Sequence, residues 1–234
     1  MERPLLPACP TAVWLPPTVL ERWQHQGTEA GVTCVLPDGC RDLIVQIDAQ
    51  GAVHWMVSPL PQRAYGVPAS AGEDWLGFRL HPGVRVDADA LLPSVQSIDL
   101  ARDPAESAAR VHAALAEFTR CDARMQDALA ALAQAPTVGA AARALGVSER
   151  TLERLTRTAT GEPPHYWRAL ARVRRAAQAL AGDEAPPLAA IAADHGYADQ
   201  AHFGRECLHW LGQTPARLRA SKDLLASVQS SGYG

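Results

Sequence analysis

Hydrophobic positions along the chain fall into two textures. From Val32 to about Leu80 they come in short runs, Val32–Leu36, Leu43–Ile47, Val53–Val57 and Trp75–Leu80, separated by turn formers such as Pro37-Asp38-Gly39, Asp48 to Gly51 and Ser70 to Asp74. Short β-branched and aromatic runs at this spacing predict an antiparallel sheet or a small barrel. After Asp99 the chain turns Ala-rich, and Asp103-Pro104-Ala105-Glu106 has the form of a helix start, with a capping carboxylate and proline at the first helical position. Ala108, Val111, Leu115 and Phe118 follow at helical spacing, and a second helical stretch, about Ala123 to Ala133, stops before Pro136. Asp103 to Ala135 is therefore read as a helical hairpin that caps the sheet, links two domains or offers a dimer surface.

The C-terminal third contains a repeat. Ala140–Leu155 and Ala190–Arg205 each hold a short Ala-rich helix, a glycine, one apolar residue and a second helix with an arginine within it. That is a helix-turn-helix pattern. Small alanines let two helices cross closely, Gly146 and Gly196 can take the positive φ of the turn, and Val147 and Tyr197 are expected to plug the space between helices. The second helix of each pair is then free to enter a DNA major groove, about 12 Å wide. Between the copies, His165 to Ala181 reads as one long helix with Trp167, Leu170, Val173, Ala177 and Leu180 on one side and Arg168, Arg172 and Arg175 on another. Such a helix could hold two heads about one duplex turn, roughly 34 Å, apart.

Composition narrows this further. At 234 residues and 47% hydrophobic content the chain can fill two cores. No apolar run approaches the roughly 18 to 20 residues a bilayer crossing needs, and the first residues lack a basic segment followed by an apolar signal core, so a cytoplasmic location and no membrane partner are expected. The formal charge of -3 is uneven: Pro136 to Lys222 carries 12 basic and 8 acidic residues, or +4, which leaves -7 elsewhere. A basic C-terminal part beside an acidic N-terminal part suits phosphate binding by the former. Lys222 is the sole lysine, and Cys9, Cys34, Cys40, Cys121 and Cys207 form no CxxC, which favours thiols over a disulfide frame.

Ala141-Arg143-Ala144-Leu145-Gly146-Val147-Ser148-Glu149-Arg150-Thr151-Leu152, Thr160-Gly161-Glu162-Pro163-Pro164, Ile191-Ala192, Gly196-Tyr197, His202-Phe203 and Gly212-Gln213-Thr214-Pro215 resemble the AraC/XylS regulator family, over nearly all of Pro136 to Arg219. The resemblance implies a monomeric pair of helix-turn-helix subdomains reading two successive major-groove segments of double-stranded DNA. By position, Arg150, Glu153 and Arg154 would face bases from the first reading helix, and Gln200, His202 and Arg205 from the second, with Asp199 as a further candidate. Arginine can donate a bidentate pair to guanine and glutamine can pair with adenine, while a carboxylate can accept from a cytosine amine. The acids could instead pair with neighbouring arginines or cap a helix. Ser148, Thr151, Arg157 and Arg172 are the candidates for backbone phosphate contact. The sequence departs from the family where Thr156 and Cys207 replace an aromatic late in each reading helix and Leu208 replaces a lysine. The second unit is therefore expected to add less affinity and more selectivity.

Upstream, Leu36–Ile44 and Leu76–Gly83 resemble a short, poorly characterised domain that often precedes AraC-type regions. A small effector is expected there, with Trp14, Trp55, Trp75, Arg41, Asp42, Arg79 and His81 as the candidate pocket; the same polar residues could instead lock the sheet by ion pairs. Cys34 and Cys40, with His81, are candidates for a soft metal or a thiol-redox response. No cofactor is expected. Some DNA-repair alkyltransferases carry the same DNA-binding region, but the cysteine spacing here does not resemble theirs, and no GxSxG, Walker, HExxH or dinucleotide motif is present. A helix-turn-helix used only for protein contacts is the remaining alternative. The expected fold is thus α+β: a β-rich sensor over 1–100, a helical hairpin over 101–135 that links or dimerises through 103–133, an all-α region over 136–222 with two helix-turn-helix units on a linker helix, and a disordered tail over 223–234. RNA polymerase is the expected protein partner of an activator.

Overall fold

A computed structural model describes residues 15–100, 102–182, 185–229 and 232–234. They divide into two compact units. One comprises the described residues up to Thr33 with Arg41–Pro59 and Val67–Asp122; the other comprises Cys34–Cys40, Leu60–Gly66 and Ala123 onward.

The first unit is built on β1 (Val19–Gln26), β3 (Asp42–Ile47), β4 (Val53–Val57) and β6 (Asp74–Leu80), which pair antiparallel in the order β1-β6-β3-β4; β2 (Gly31–Val35) and β5 (Tyr65–Ala69) form a separate two-stranded ribbon. Of the two expected forms, the open sheet is the one found. β3 shows the pleat: Leu43, Val45 and Ile47 are fully buried while Asp42, Ile44 and Gln46 between them are half-buried. β7 (Arg85–Val86), α1 (Ala88–Gln96), α2 (Pro104–Phe118) and β8 (Thr119–Arg120) complete the unit, with β7 and β8 paired antiparallel. Asp103 caps α2 as its sequence predicts, accepting from the Ala105 and Glu106 N–H groups, with Pro104 in the first turn. Leu91 and Val95 of α1 and Val111 and Leu115 of α2 join the buried strand residues in one core.

The second unit is all helix apart from its two short N-terminal segments: α3 (Ala123–Gln134), α4 (Val138–Ala144), α5 (Glu149–Thr160), α6 (Pro164–Gln178), α7 (Leu188–Asp194), α8 (Gln200–Leu211), α9 (Pro215–Ala220) and α10 (Lys222–Gln229). Its axis is α6, where Tyr166, Trp167, Leu170, Val173, Ala176 and Ala177 are buried on several sides. Arg174 on the same helix is 1% exposed and donates to the Pro37 and Val228 carbonyls. The segment 34–40 thus supplies part of this unit's interior.

Two expectations are corrected. The tail is not disordered over 223–234: α10 occupies Lys222–Gln229, and Tyr233 is buried, its ring edge-on to Trp167 at 5.2 Å and its hydroxyl donating to the Leu129 carbonyl. The large apolar area of a tyrosine outweighs the flexibility of the Ser and Gly around it. The helices of the expected hairpin do form, but α2 belongs to the first unit and α3 to the second. Their apolar stripes, Val111 and Leu115 on one and Met125, Leu129 and Leu132 on the other, pack into those separate cores. No helix among the described residues is long and apolar enough to cross a membrane.

Candidate nucleic-acid interface

The two helix pairs α4–α5 and α7–α8 have matching lengths, 7 and 12 residues in each. Gly146 and Gly196 take φ of +67° and +70°, the left-handed conformation the turn requires, and nothing stands within 4 Å of where a Cβ would be. The constraint at both turns is thus backbone conformation rather than space. Tyr197 plugs the second turn as expected, 5% exposed against Phe203, whereas Val147 is 37% exposed. Val147 borders a concavity of about 590 Å³ that is also lined by Arg124 of α3 and Leu155 of α5, so the first turn is not plugged by its apolar residue. A tyrosine ring reaches the helix crossing; a valine side chain is too short.

The second helix of each pair begins on a cap. Ser148 accepts from the Thr151 N–H at 3.1 Å, with the two hydroxyl oxygens 2.9 Å apart. Asp199 accepts from the His202 N–H at 2.6 Å. Each ends on a left-handed glycine, Gly161 and Gly212, and the following helix starts with proline in its first turn, Pro164 and Pro215, the latter behind a Thr214 cap. The Gly-x-Thr-Pro motif is therefore a stop and a start placed three residues apart.

On α5, Arg150, Arg154 and Arg157 are exposed, while Leu152, Thr156 and Thr160 are buried. Glu153 is half-buried and paired with Arg157 one turn on. Of the residues proposed to face bases, Glu153 is thus already engaged, and Arg157, a candidate phosphate donor, is its partner. On α8, Gln200 and Arg205 are exposed, and His202 is half-buried with its ring edge-on to Tyr197 at 5.2 Å. Asp199 has the capping role that was its alternative. Arg172 of α6 is turned to the second unit: it donates to the Gly196 carbonyl at 3.4 Å, meets Glu206 at 3.5 Å, and lies 4.3 Å from the centre of the Tyr197 ring.

The family departures also have local accounts. Thr156 and Cys207 are both fully buried, and Thr156 donates to the Glu153 carbonyl of its own helix. Burial, and then the Glu206 carboxylate, push the Cys207 thiol up to about 12, so it is a small core residue rather than a nucleophile. Leu208 is 56% exposed, an apolar side chain on the helix where a basic one is customary.

In the sheet unit, Arg79 pairs with Glu21 at 2.7 Å and with Asp42 at 3.5 Å, and Asp42 accepts from the Trp23 indole N–H at 2.9 Å. Trp23 lies flat across Gly77, where any Cβ would collide with the ring. Arg79 and Asp42 thus take the sheet-locking alternative. Trp55 is core, Trp75, Arg41 and His81 are half-buried, and Trp14 lies outside the described residues. Cys34 is exposed and Cys40 buried, its thiol directed to the Asp38 carbonyl. Among the described residues no three His, Cys, Asp or Glu side chains are grouped to hold a metal.

A family profile described as a helix-turn-helix domain matches residues 141–221, which covers the segment from α4 to the end of α9. The chain matches no curated protein. Among solved structures it is similar to a transcriptional regulator with an AraC-type DNA-binding domain from Chromobacterium violaceum, at 24% identity and a TM-score of 0.38 over 47% of this chain and 100% of that one. It is also similar to ToxT from Vibrio cholerae, at 8% identity and a TM-score of 0.45 over 86% of this chain and 97% of that one.

Proposed function

We propose that this chain is a DNA-binding transcription regulator of the AraC type that reads two successive major-groove segments, with α5 and α8 as its reading helices; the helix-turn-helix profile matched over residues 141–221 supports this. The observation that carries the proposal is the repeated helix pair whose second helix leaves Arg150 and Arg154, and Gln200 and Arg205, exposed. Guanidinium forks on an exposed helix face suit guanine edges, and Gln200 suits adenine. Ser148 and Thr151, at the start of α5, are suited to the phosphates beside the groove. Glu153 and His202 contribute by holding neighbouring side chains, and Arg172 by fixing α6 to the second turn. In this reading the chain works in the cytoplasm as a regulator rather than an enzyme.

The sheet unit is the input side of this reading, because it has a core of its own and no helix-turn-helix features. A small effector bound in this unit would meet Arg41, His81 and Trp75, which are half-buried. Selection of bound fragments from genomic duplex DNA tests the central reading. A shared motif with two half-sites about one turn apart is expected. Failure to retain any duplex at low salt overturns it. A thermal-shift screen of metabolites tests the input side.

A further inference from the structure

Away from the reading helices, the helical unit holds a second concentration of positive charge. Arg168, Arg172 and Arg175 stand at i, i+4 and i+7 on α6, which brings them to one face of the helix. That face does not bulge into solvent. It lines an open recess of about 480 Å³, also bordered by Gln134 at the end of α3 and by Asp194 and His195 at the end of α7. All three arginines are half-buried. Three guanidiniums and an imidazole therefore share a concave site whose lining includes one carboxylate, Asp194.

Nearby groups satisfy this charge in part. Arg172 reaches Glu206 and the Gly196 carbonyl, yet its buried Nε has no hydrogen-bond partner among the described residues. Arg168 and Arg175 make no ion pair among the described residues. The groups also disfavour one another. The Arg168 guanidinium is held below its ordinary range by burial and then by Arg172, and the His195 imidazole is lowered by burial and then by Arg175. Positive charges gathered in a recess raise the local potential more than the same charges spread over a convex face. A bound anion relieves that repulsion.

Planar guanidinium forks approaching from several points along one helix suit a compact group with acceptor oxygens facing several ways. A carboxylate offers two oxygens in one plane and would engage one fork. A tetrahedral oxyanion can engage two or three. We propose that this recess binds a phosphate group, with Arg168 and Arg175 as the donors and Arg172 as a further contact held by Glu206. The phosphate has two possible sources: the backbone of a duplex held by the reading helices, or a free phosphorylated small molecule that acts on the DNA-binding unit itself. The free source goes beyond the proposed DNA reading and does not depend on it.

Both sources can be tested on the full chain. Inorganic phosphate and pyrophosphate are titrated into the protein in low-chloride buffer and followed by calorimetry, and duplex affinity is measured across a salt series. Each is repeated for R168Q/R175Q and R168K/R175K, with folding checked by circular dichroism; R175Q alone replaces the double variant if the latter unfolds. If the source is a free anion, the wild type binds phosphate or pyrophosphate saturably, the Gln variant binds at least ten-fold more weakly, and the Lys variant falls between the two because it keeps the charge but not the fork. If the source is DNA, neither probe binds, but the Gln substitutions reduce the slope of log affinity against log salt by about 0.9 for each contact removed, without changing the preferred sequence. The proposal is overturned if neither probe binds and the slope is unchanged, or if a probe binds equally well to the Gln variant, which would mark an adventitious ion only. A wild type that ignores duplex DNA defeats the DNA reading but leaves the anion titration interpretable.

Discussion

Arg154 on α5 and Arg205 on α8 are exposed and make no ion pair among the described residues, whereas Glu153 is tied to Arg157. Replacing either arginine with alanine is expected to cost about 1–3 kcal/mol of discrimination at one base position, with little change in thermal stability; competition binding against single-base operator variants reads this. The thiols make a second contrast. Cys34 and Cys121 are exposed, while Cys40 and Cys207 are buried. An aromatic disulfide reagent at pH 8 should modify the first two in the native protein, and the second two only after denaturant is added. His112, edge-on to Phe78 at 5.7 Å, gives a pH-dependent case: burial, and then Arg22, lower its imidazole. The unfolded chain therefore binds the proton more readily than the fold, so this group's destabilising effect is absent above the unfolded pKa of about 6.5 and grows as pH falls below it. The fall in Tm between pH 7 and pH 5 should be smaller in His112→Asn than in the wild type.

At the scale of elements, α5 and α8 are fixed by their ends. Ser148 and Asp199 each occupy a backbone donor in the first turn, and Gly161 and Gly212 terminate the helices in the left-handed region. Ser148→Ala is expected to cost about 1 kcal/mol through loss of the cap, seen as a shift in urea midpoint. These signals are local, which is why the element boundaries were readable from sequence. The C-terminal segment was misread for the complementary reason. Its Ser and Gly residues describe a flexible chain, but Tyr233 finds Trp167 and the Leu129 carbonyl, partners more than 60 residues away. Tyr233→Ala should destabilise by about 3–5 kcal/mol, as for other buried aromatics, and lower the thermal midpoint of the helical unit.

At the scale of the molecule, the second unit is not a contiguous stretch of chain. Leu36 belongs to its core, Pro37 accepts from buried Arg174, and Pro61 accepts from the Tyr166 hydroxyl, all from segments that precede α3 by many residues. A fragment starting at Ala123 should therefore melt lower than the same helices in the full chain, and an Arg174→Met substitution should narrow the gap because it removes the donor left buried without its carbonyl. Calorimetry of the four proteins checks this. The region that resembles a regulator family is thus completed by residues outside that resemblance.

The sequence by itself determined the two helix pairs and their glycine turns, because helix starts and stops follow from neighbours within about one turn; that Ser148 caps α5, and that Glu153 and His202 are half-buried, came from the structure. The sequence also placed Arg168, Arg172 and Arg175 on one side of a helix. Only the tertiary structure decided what that side meets: the end of α3 and the end of α7 flank it and make a charged face the wall of an open recess. Likewise the pattern marked Arg79 and Asp42 as polar residues in strands, but strand order brought them together with Glu21 and Trp23. Pairing between distant segments depends on the shape and charge of both partners at once, and a one-dimensional pattern carries neither.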